Sequence, residues 1–227
     1  MEIRFLGHAC FELSEGEAHV LVDPFLTGNP KAAAAHDELE ATHILLTHGH
    51  GDHIGDAEQI AKRTGAVVVG VPEITNELSD AGVENVRDPN LGGTVKFDWG
   101  WVKLVPAWHT STTPGGASPG TAAGLLIGIG GTTVYHLGDT ALFSDMKLVA
   151  HRGDPIDVAL VPIGGHYTMD RLDAVVACEF IEADTVIPCH YDTFPPIETD
   201  AQAFKSDVES QTSSKVVILE PGETFSA

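Results

Sequence analysis

Apolar positions along the chain fall in short runs that Gly, Pro and Asp interrupt. Most of these runs are rich in Val, Ile and Thr and read as strands: Ile3 to Leu6, His19 to Val22, His43 to Thr47, Ala66 to Val69, Thr94 to Phe97, Val102 to Ala107, Ala122 to Ile129, Thr132 to Leu137, Asp157 to Ile163, Thr185 to Pro188 and Lys215 to Leu219. Helical patterns lie between some of them. Asp56 to Arg63 has an Asp56 cap and Gly65 just beyond its end, and Pro72 to Ser79 starts with proline at the first helical position. Asp170 to Glu182 sets Leu172, Val175, Val176, Cys178 and Phe180 on or near one side, and Asp200 to Ser210 is a fourth helix. The early half reads as hairpins and the late half as alternating strand and helix. That mixture predicts two packed sheets with helices outside.

Composition narrows the class. The chain has 227 residues, 43% of them hydrophobic, which supplies a core and excludes disorder as a whole. No low-complexity linker divides it and no internal repeat is visible, so a single domain over residues 1–227 is expected. Acidic residues number 33 against 12 Lys plus Arg, a formal charge of −21. A surface of that sign repels phosphate polymers and anionic lipid, which argues against nucleic acid or a membrane surface as partner. The excess fits either an ordinary acidic protein or one kept soluble at high salt. The N-terminal run carries Glu2, Arg4 and His8 and does not read as a signal peptide, and no apolar stretch is long enough to span a bilayer. Cys10, Cys178 and Cys189 lack CxxC spacing, so reduced thiols in a cytoplasmic protein are expected.

Chemistry concentrates at Thr47-His48-Gly49-His50-Gly51-Asp52-His53, which follows the apolar run Ile44-Leu45-Leu46. Imidazole and carboxylate ligate Zn, Mn or Fe in water-activating sites, and Gly49 and Gly51 are read as turn residues that let neighbouring side chains converge. More polar residues follow other strand ends: Asp23, His109, Asp139, Gly164-Gly165-His166 and Cys189-His190. Open sheets gather their sites at that edge.

With its H-x-H-x-D-H motif at His48 to His53, and His109, Asp139 and His190 following in order, the chain resembles the metallo-β-lactamase superfamily. Leu6-Gly7-His8-Ala9-Cys10-Phe11 and Pro162-Ile163-Gly164-Gly165-His166-Tyr167-Thr168-Met169 resemble, more narrowly, small metal-dependent hydrolases related to L-ascorbate-6-phosphate lactonases. The resemblance implies an α+β fold, an αββα sandwich of two packed mixed sheets flanked by helices. It also implies two divalent ions, Zn, Mn or Fe: His48, His50 and His109 on one, Asp52, His53 and His190 on the other, and Asp139 on both. Ions roughly 3.5–4 Å apart would hold a hydroxide able to attack an ester or lactone of a small molecule, with a phosphoester as the alternative and a metal-binding protein without turnover as a third reading.

In the same resemblance Asp52 also exchanges protons, Asp23 orients the metal-binding loop or a ligand histidine, and His8 and His166 contact substrate or developing negative charge. Tyr167 is a candidate substrate contact. Helix initiation at Asp170-Arg171-Leu172-Asp173 departs from the narrower family's Gly-Pro type. His19, His36, His43, His136 and His151 carry no motif support and are read as structural or surface residues, and Cys189 as a buried apolar one. Thr110 to Gly120 is expected to lie over the site. Homo-oligomerisation is an expectation by analogy with relatives.

Overall fold

In the computed structural model, residues 1–150 and 155–227 are described; His151 lies outside them. Their strands, in chain order, are β1 (Glu2–Gly7), β2 (Cys10–Glu15), β3 (Ala18–Val22), β4 (His43–Leu45), β5 (Val67–Val69), β6 (Val86–Arg87), β7 (Thr94–Phe97), β8 (Gly100–Pro106), β9 (Ala123–Ile129), β10 (Thr132–His136), β11 (Val158–Pro162), β12 (Thr185–Cys189), β13 (Lys215–Val216) and β14 (Thr224–Ser226). The helices are α1 (Gly51–Ile54), α2 (Ala57–Thr64), α3 (Pro72–Asp80), α4 (Met146–Ala150), α5 (Arg171–Ile181) and α6 (Ala201–Gln211).

One seven-stranded sheet runs β14-β1-β2-β3-β4-β5-β6 and the other β13-β12-β11-β10-β9-β8-β7. Each has an antiparallel part and a parallel part. Pairing is antiparallel from β14 through β3 and parallel from β3 through β6. In the second sheet it is antiparallel from β7 through β10 and parallel from β10 through β13. The expected division into a hairpin half and an alternating half is therefore corrected: both halves begin as hairpins and end in parallel crossovers.

Strand alternation divides the core into two layers. Along β11, Val158 and Leu160 join the layer shared with the first sheet, whereas Ala159 and Val161 join the layer under the helices. The shared layer brings Phe11, Leu13, Val20, Val22 and Ile44 against Val102, Leu104, Leu125, Ile127 and Val134. The outer layer packs α5 and α6 through Ala174, Val175, Ala177, Cys178, Ile181, Phe204 and Val208. The predicted stripe on α5 holds at Val175 and Cys178, but Leu172 is exposed, Val176 and Phe180 are half-buried, and Ala174, Ala177 and Ile181 complete the buried side. This arrangement is the αββα sandwich the resemblance implies.

Other differences have local causes. Strand β2 was not predicted, although Phe11 and Leu13 alternate cleanly with Glu12 and Ser14. The strands β6, β13 and β14 owe their existence to partners, because two or three residues carry no periodicity. Asp56 stands at the start of α2 but does not cap it; its carboxylate accepts from Leu26 and Thr27 N–H instead, at 3.0 and 2.8 Å. Asp170 does cap α5, accepting from Leu172 and Asp173 N–H, so this helix starts without a Gly-Pro signal. No described helix is long and apolar enough to cross a membrane.

Candidate metal centre

Parallel crossovers put several strand C-termini at one edge, and the predicted residues gather there. Asp23 follows β3, the His48 loop follows β4, Asp139 follows β10 and His190 follows β12. His109 follows the antiparallel strand β8, and His8 sits in the β1–β2 turn. Of the six non-glycine residues with positive φ among those described, four are His8, Asp23, His166 and His190. Such backbone costs about 1–3 kcal/mol per residue and persists where surrounding contacts fix it. One contact of that kind joins the two sheets directly: His190 N–H donates to the His8 carbonyl at 2.7 Å.

Ligand atoms of His48, His50 and His109 lie within 4.8 Å of one another, as do those of Asp52, His53, His190 and His8. Asp139 lies between the two groups. One of its oxygens, Oδ1, is 3.3 Å from His53 Nε2; the other, Oδ2, is 3.2 Å from His190 Nε2, 3.5 Å from His109 Nε2 and 3.9 Å from His48 Nε2. Asp52 Oδ2 is 4.0 Å from His190 Nε2. Every predicted ligand is in one cluster, and His8 joins it.

Hydrogen bonds around the cluster set its tautomers. Asp23 accepts from Thr47 N–H at 2.9 Å and from the Thr47 hydroxyl at 2.6 Å, and lies 2.7 Å from His53 Nδ1. The hydroxyl proton is thereby committed to Asp23, so Thr47 Oγ1 accepts from His48 Nδ1, 2.9 Å away. Both rings then carry their proton on Nδ1 and turn a bare Nε2 inward. His48 Nε2 faces His50 Nδ1 at 3.0 Å. His53 Nε2, Asp139 Oδ1 and both nitrogens of His190 are buried without a hydrogen-bond partner. Buried polar atoms are rarely left so, and imidazole nitrogens gathered round a carboxylate are a donor set for a divalent cation. The donor set therefore fits divalent metal, with nitrogen and oxygen ligands only: Cys10, Cys178 and Cys189 are buried thiols whose pKa burial raises. Asp23 belongs beside this set, because its oxygens are already occupied by Thr47 and His53.

Electrostatics agree with charged carboxylates and with neutral rings at His8, His48 and His109, but not at His53 while no metal is bound. Burial lowers the pKa of His48 and His109, and brings that of His8 down to about 4. Burial would raise Asp139, but the His190 and His53 rings outweigh it and hold the carboxyl well below its usual range. Burial would likewise lower His53, yet Asp139 and Asp23 raise it well above the ordinary histidine value when no metal competes. Asp52 is also held low, its own burial being outweighed by the bond from His8. A neutral His8 donates from Nε2 to Asp52 Oδ2 at 3.3 Å, while its Nδ1 accepts the Thr193 hydroxyl at 2.9 Å.

The loop after His109 does lie against the metal-binding loop. Gly49 N–H donates to Ser111 Oγ at 3.1 Å, and a Cβ on Gly49 would stand 2.4 Å from Pro119 Cγ. Neither Gly49 nor Gly51 has positive φ, so the reason for glycine at 49 is the close approach of Pro119 and not a tight turn.

His166 and Tyr167 stand apart from the cluster. Both are exposed and line a cavity of about 800 Å³ together with Trp108 and His109. His136, read from the sequence as structural or surface, is buried and bridges the two halves: its Nε2 donates to the Ala9 carbonyl at 3.1 Å and its Nδ1 accepts Gly138 N–H at 3.0 Å. It thus ties the turn bearing His8 to the strand end bearing Asp139. Its placement three residues before Asp139 was the available signal. Cys189 is packed in the shared core, as expected.

Comparison with known proteins gives the family. Residues 2–190 match the family described as Beta-lactamase superfamily domain. The chain is 48% identical to a UPF0173 metal-dependent hydrolase of Methanopyrus kandleri, over 99% of each chain, and 45% identical to another of Thermus thermophilus, over 99% of this chain and 98% of that one. It superposes on Igni18, a metallo hydrolase of Ignicoccus hospitalis, with a TM-score of 0.90 and 38% identity, over 100% of this chain and 98% of that one. The chain belongs to the metallo-β-lactamase superfamily, among its UPF0173 metal-dependent hydrolases.

Proposed function

We propose that the protein hydrolyses an ester or lactone of a small molecule with two divalent ions, Zn, Mn or Fe. The reading rests on one observation above all: bare imidazole nitrogens of two constellations converge on the single carboxylate of Asp139. His48, His50 and His109 would hold one ion, Asp52, His53 and His190 the other, with Asp139 common to both. Bound there, the ions would lower the pKa of water and polarise the substrate carbonyl.

The protein's own groups supply position and proton transfer. Asp23 fixes the His48 and His53 tautomers through Thr47 and directly. His8 holds Asp52 by donating to it, and the Asp52 side chain, 35% exposed, retains an open edge toward solvent. Its low pKa keeps it ionised at neutral pH, ready to take a proton from attacking water and pass it to the departing alcohol. Water oxygen bonds to the carbonyl carbon, the ester C–O bond breaks, and the alcohol leaves protonated. His166 and Tyr167 meet the substrate at the rim.

A panel of neutral esters, lactones and phosphodiesters with Zn- or Mn-loaded protein tests the reading. Turnover of esters or lactones is expected, and His50→Ala should abolish it. Turnover confined to phosphodiesters would move the reading to a phosphoesterase, and activity that survives His50→Ala would refute the two-ion scheme. We also expect the partners to be small molecules, with no nucleic acid or membrane, in a cytoplasmic protein that self-associates; light scattering at micromolar concentration reads the last point.

A further inference from the structure

An aromatic rim stands beside the metal centre. Trp108 is 69% exposed and Tyr167 is 55% exposed, although large aromatic side chains ordinarily bury most of their surface. Both line the cavity of about 800 Å³ that contains His109, and His166 stands edge-on to Tyr167 with ring centroids 4.5 Å apart.

The backbone that carries these exposed rings is anchored. Thr140, which follows Asp139, ties the backbone of both wall segments. Its hydroxyl accepts Trp108 N–H at 3.0 Å, and its carbonyl accepts Met169 N–H at 3.0 Å. Ala141 N–H returns to the Trp108 carbonyl at 3.1 Å. The carboxylate common to both constellations and the two aromatic walls therefore share one anchored segment, so the rim is fixed relative to the reacting centre.

Charge around the rim is equally informative. Apart from its imidazoles the cavity is lined by Leu, Pro, Ala, Thr and the two aromatics, and no described Lys or Arg contributes. Phosphate recognition ordinarily draws on such cations. Lys31 lines a separate pocket of about 70 Å³ next to His8, where Asp192 and Glu220 share the lining and oppose an anion.

We infer that the site takes an uncharged ester or lactone whose apolar, ring-bearing part lies against Trp108 and Tyr167, and that a phosphate on that part of the substrate is disfavoured. The inference rests on the hydrolase reading above and adds the substrate class to it.

Two measurements separate the levels. Ethyl phenylacetate, ethyl acetate and ethyl phenyl phosphate are compared as substrates of the Mn-loaded protein. In parallel, phenylacetamide, which carries no ester, is titrated against intrinsic tryptophan fluorescence. We expect kcat/KM for ethyl phenylacetate to exceed that for ethyl acetate by about tenfold or more, a ratio that burial of one phenyl ring supplies. Trp108→Ala and Tyr167→Ala should each collapse the ratio and weaken phenylacetamide binding, whereas Leu148→Ala, far from the rim in sequence and exposed on α4, should keep both. A ratio that survives both rim variants, or preference for the phosphate ester, would overturn the inference. Phenylacetamide binding that depends on Trp108 without turnover of any ester would instead leave the rim standing and refute the hydrolase reading.

Discussion

The histidines of this centre are held in two different ways. His48 and His53 are buried, and Asp23 fixes both rings, one through Thr47 and one directly. His50 and His109 are half-buried, and among the described residues no protein hydrogen bond from outside the cluster orients their rings. The inner pair is set before any ion arrives. Of the outer pair, His109 lines the cavity at Trp108, and the loop that carries Ser111 and Pro119 lies against Gly49, next to His50. Under the two-ion proposal, the contrast would give retention of metal to the inner pair and access for substrate to the outer one.

Removing the one group common to both should have the largest effect. Asp139→Ala is expected to lose metal from both constellations and to lower hydrolysis by about a thousandfold, read by metal analysis and steady-state kinetics. Loss from the constellation of His48, His50 and His109 alone would break the claim of a shared carboxylate. Asp23→Ala comes next: metal affinity should fall about 10–100-fold, the usual consequence of freeing a ligand ring, read by competition with a chelator. An unchanged affinity would mean that the rings need no orienting group.

A pH series sharpens the role of the bridge between the sheets. Burial holds His136 below the ordinary histidine range. Its folded pKa is thus below its unfolded one, so its contribution to stability is complete above about pH 6.5 and is lost as pH falls through the folded value. Between about pH 7.5 and pH 5.5, the urea midpoint of metal-free wild-type protein should fall further than that of His136→Gln. Equal falls would show that this ring does not titrate with unfolding. The smallest effect is expected far from the centre, where Asp170→Ala removes the α5 cap; it should cost about 1 kcal/mol in urea and leave metal content as it was.

Legibility in the sequence followed chemistry more closely than geometry. His48, His50, Asp52, His53, His109, Asp139 and His190 stood out in the letters as polar residues after apolar runs, and the resemblance to the superfamily implied their roles; the structure gathers them in one cluster. Asp23 was visible for the same reason. His136 was not, because its neighbours Ala9 and Gly138 are backbone partners brought together by sheet packing. The reason for Gly49 was also hidden, since it lies in Pro119, which only the tertiary fold brings near. In the fold, runs with clear alternation such as β10 and β11 were legible. The two-residue strand β6 was not foreseen, for pairing creates it, and the strand expected over Lys215 to Leu219 is found only as Lys215–Val216. On α5, periodicity located the helix and its buried Val175 and Cys178, but not Ala174, Ala177 and Ile181, because α4 and α6 decide how far the covered side extends.

The central claim is that two ions share Asp139. Anomalous diffraction from crystals grown with saturating Mn or Zn tests it most directly. The account predicts two peaks, one among His48, His50 and His109 and one among Asp52, His53 and His190, with Asp139 touching both. A single peak at saturating metal, or a second peak at Asp23 in place of either constellation, would contradict it.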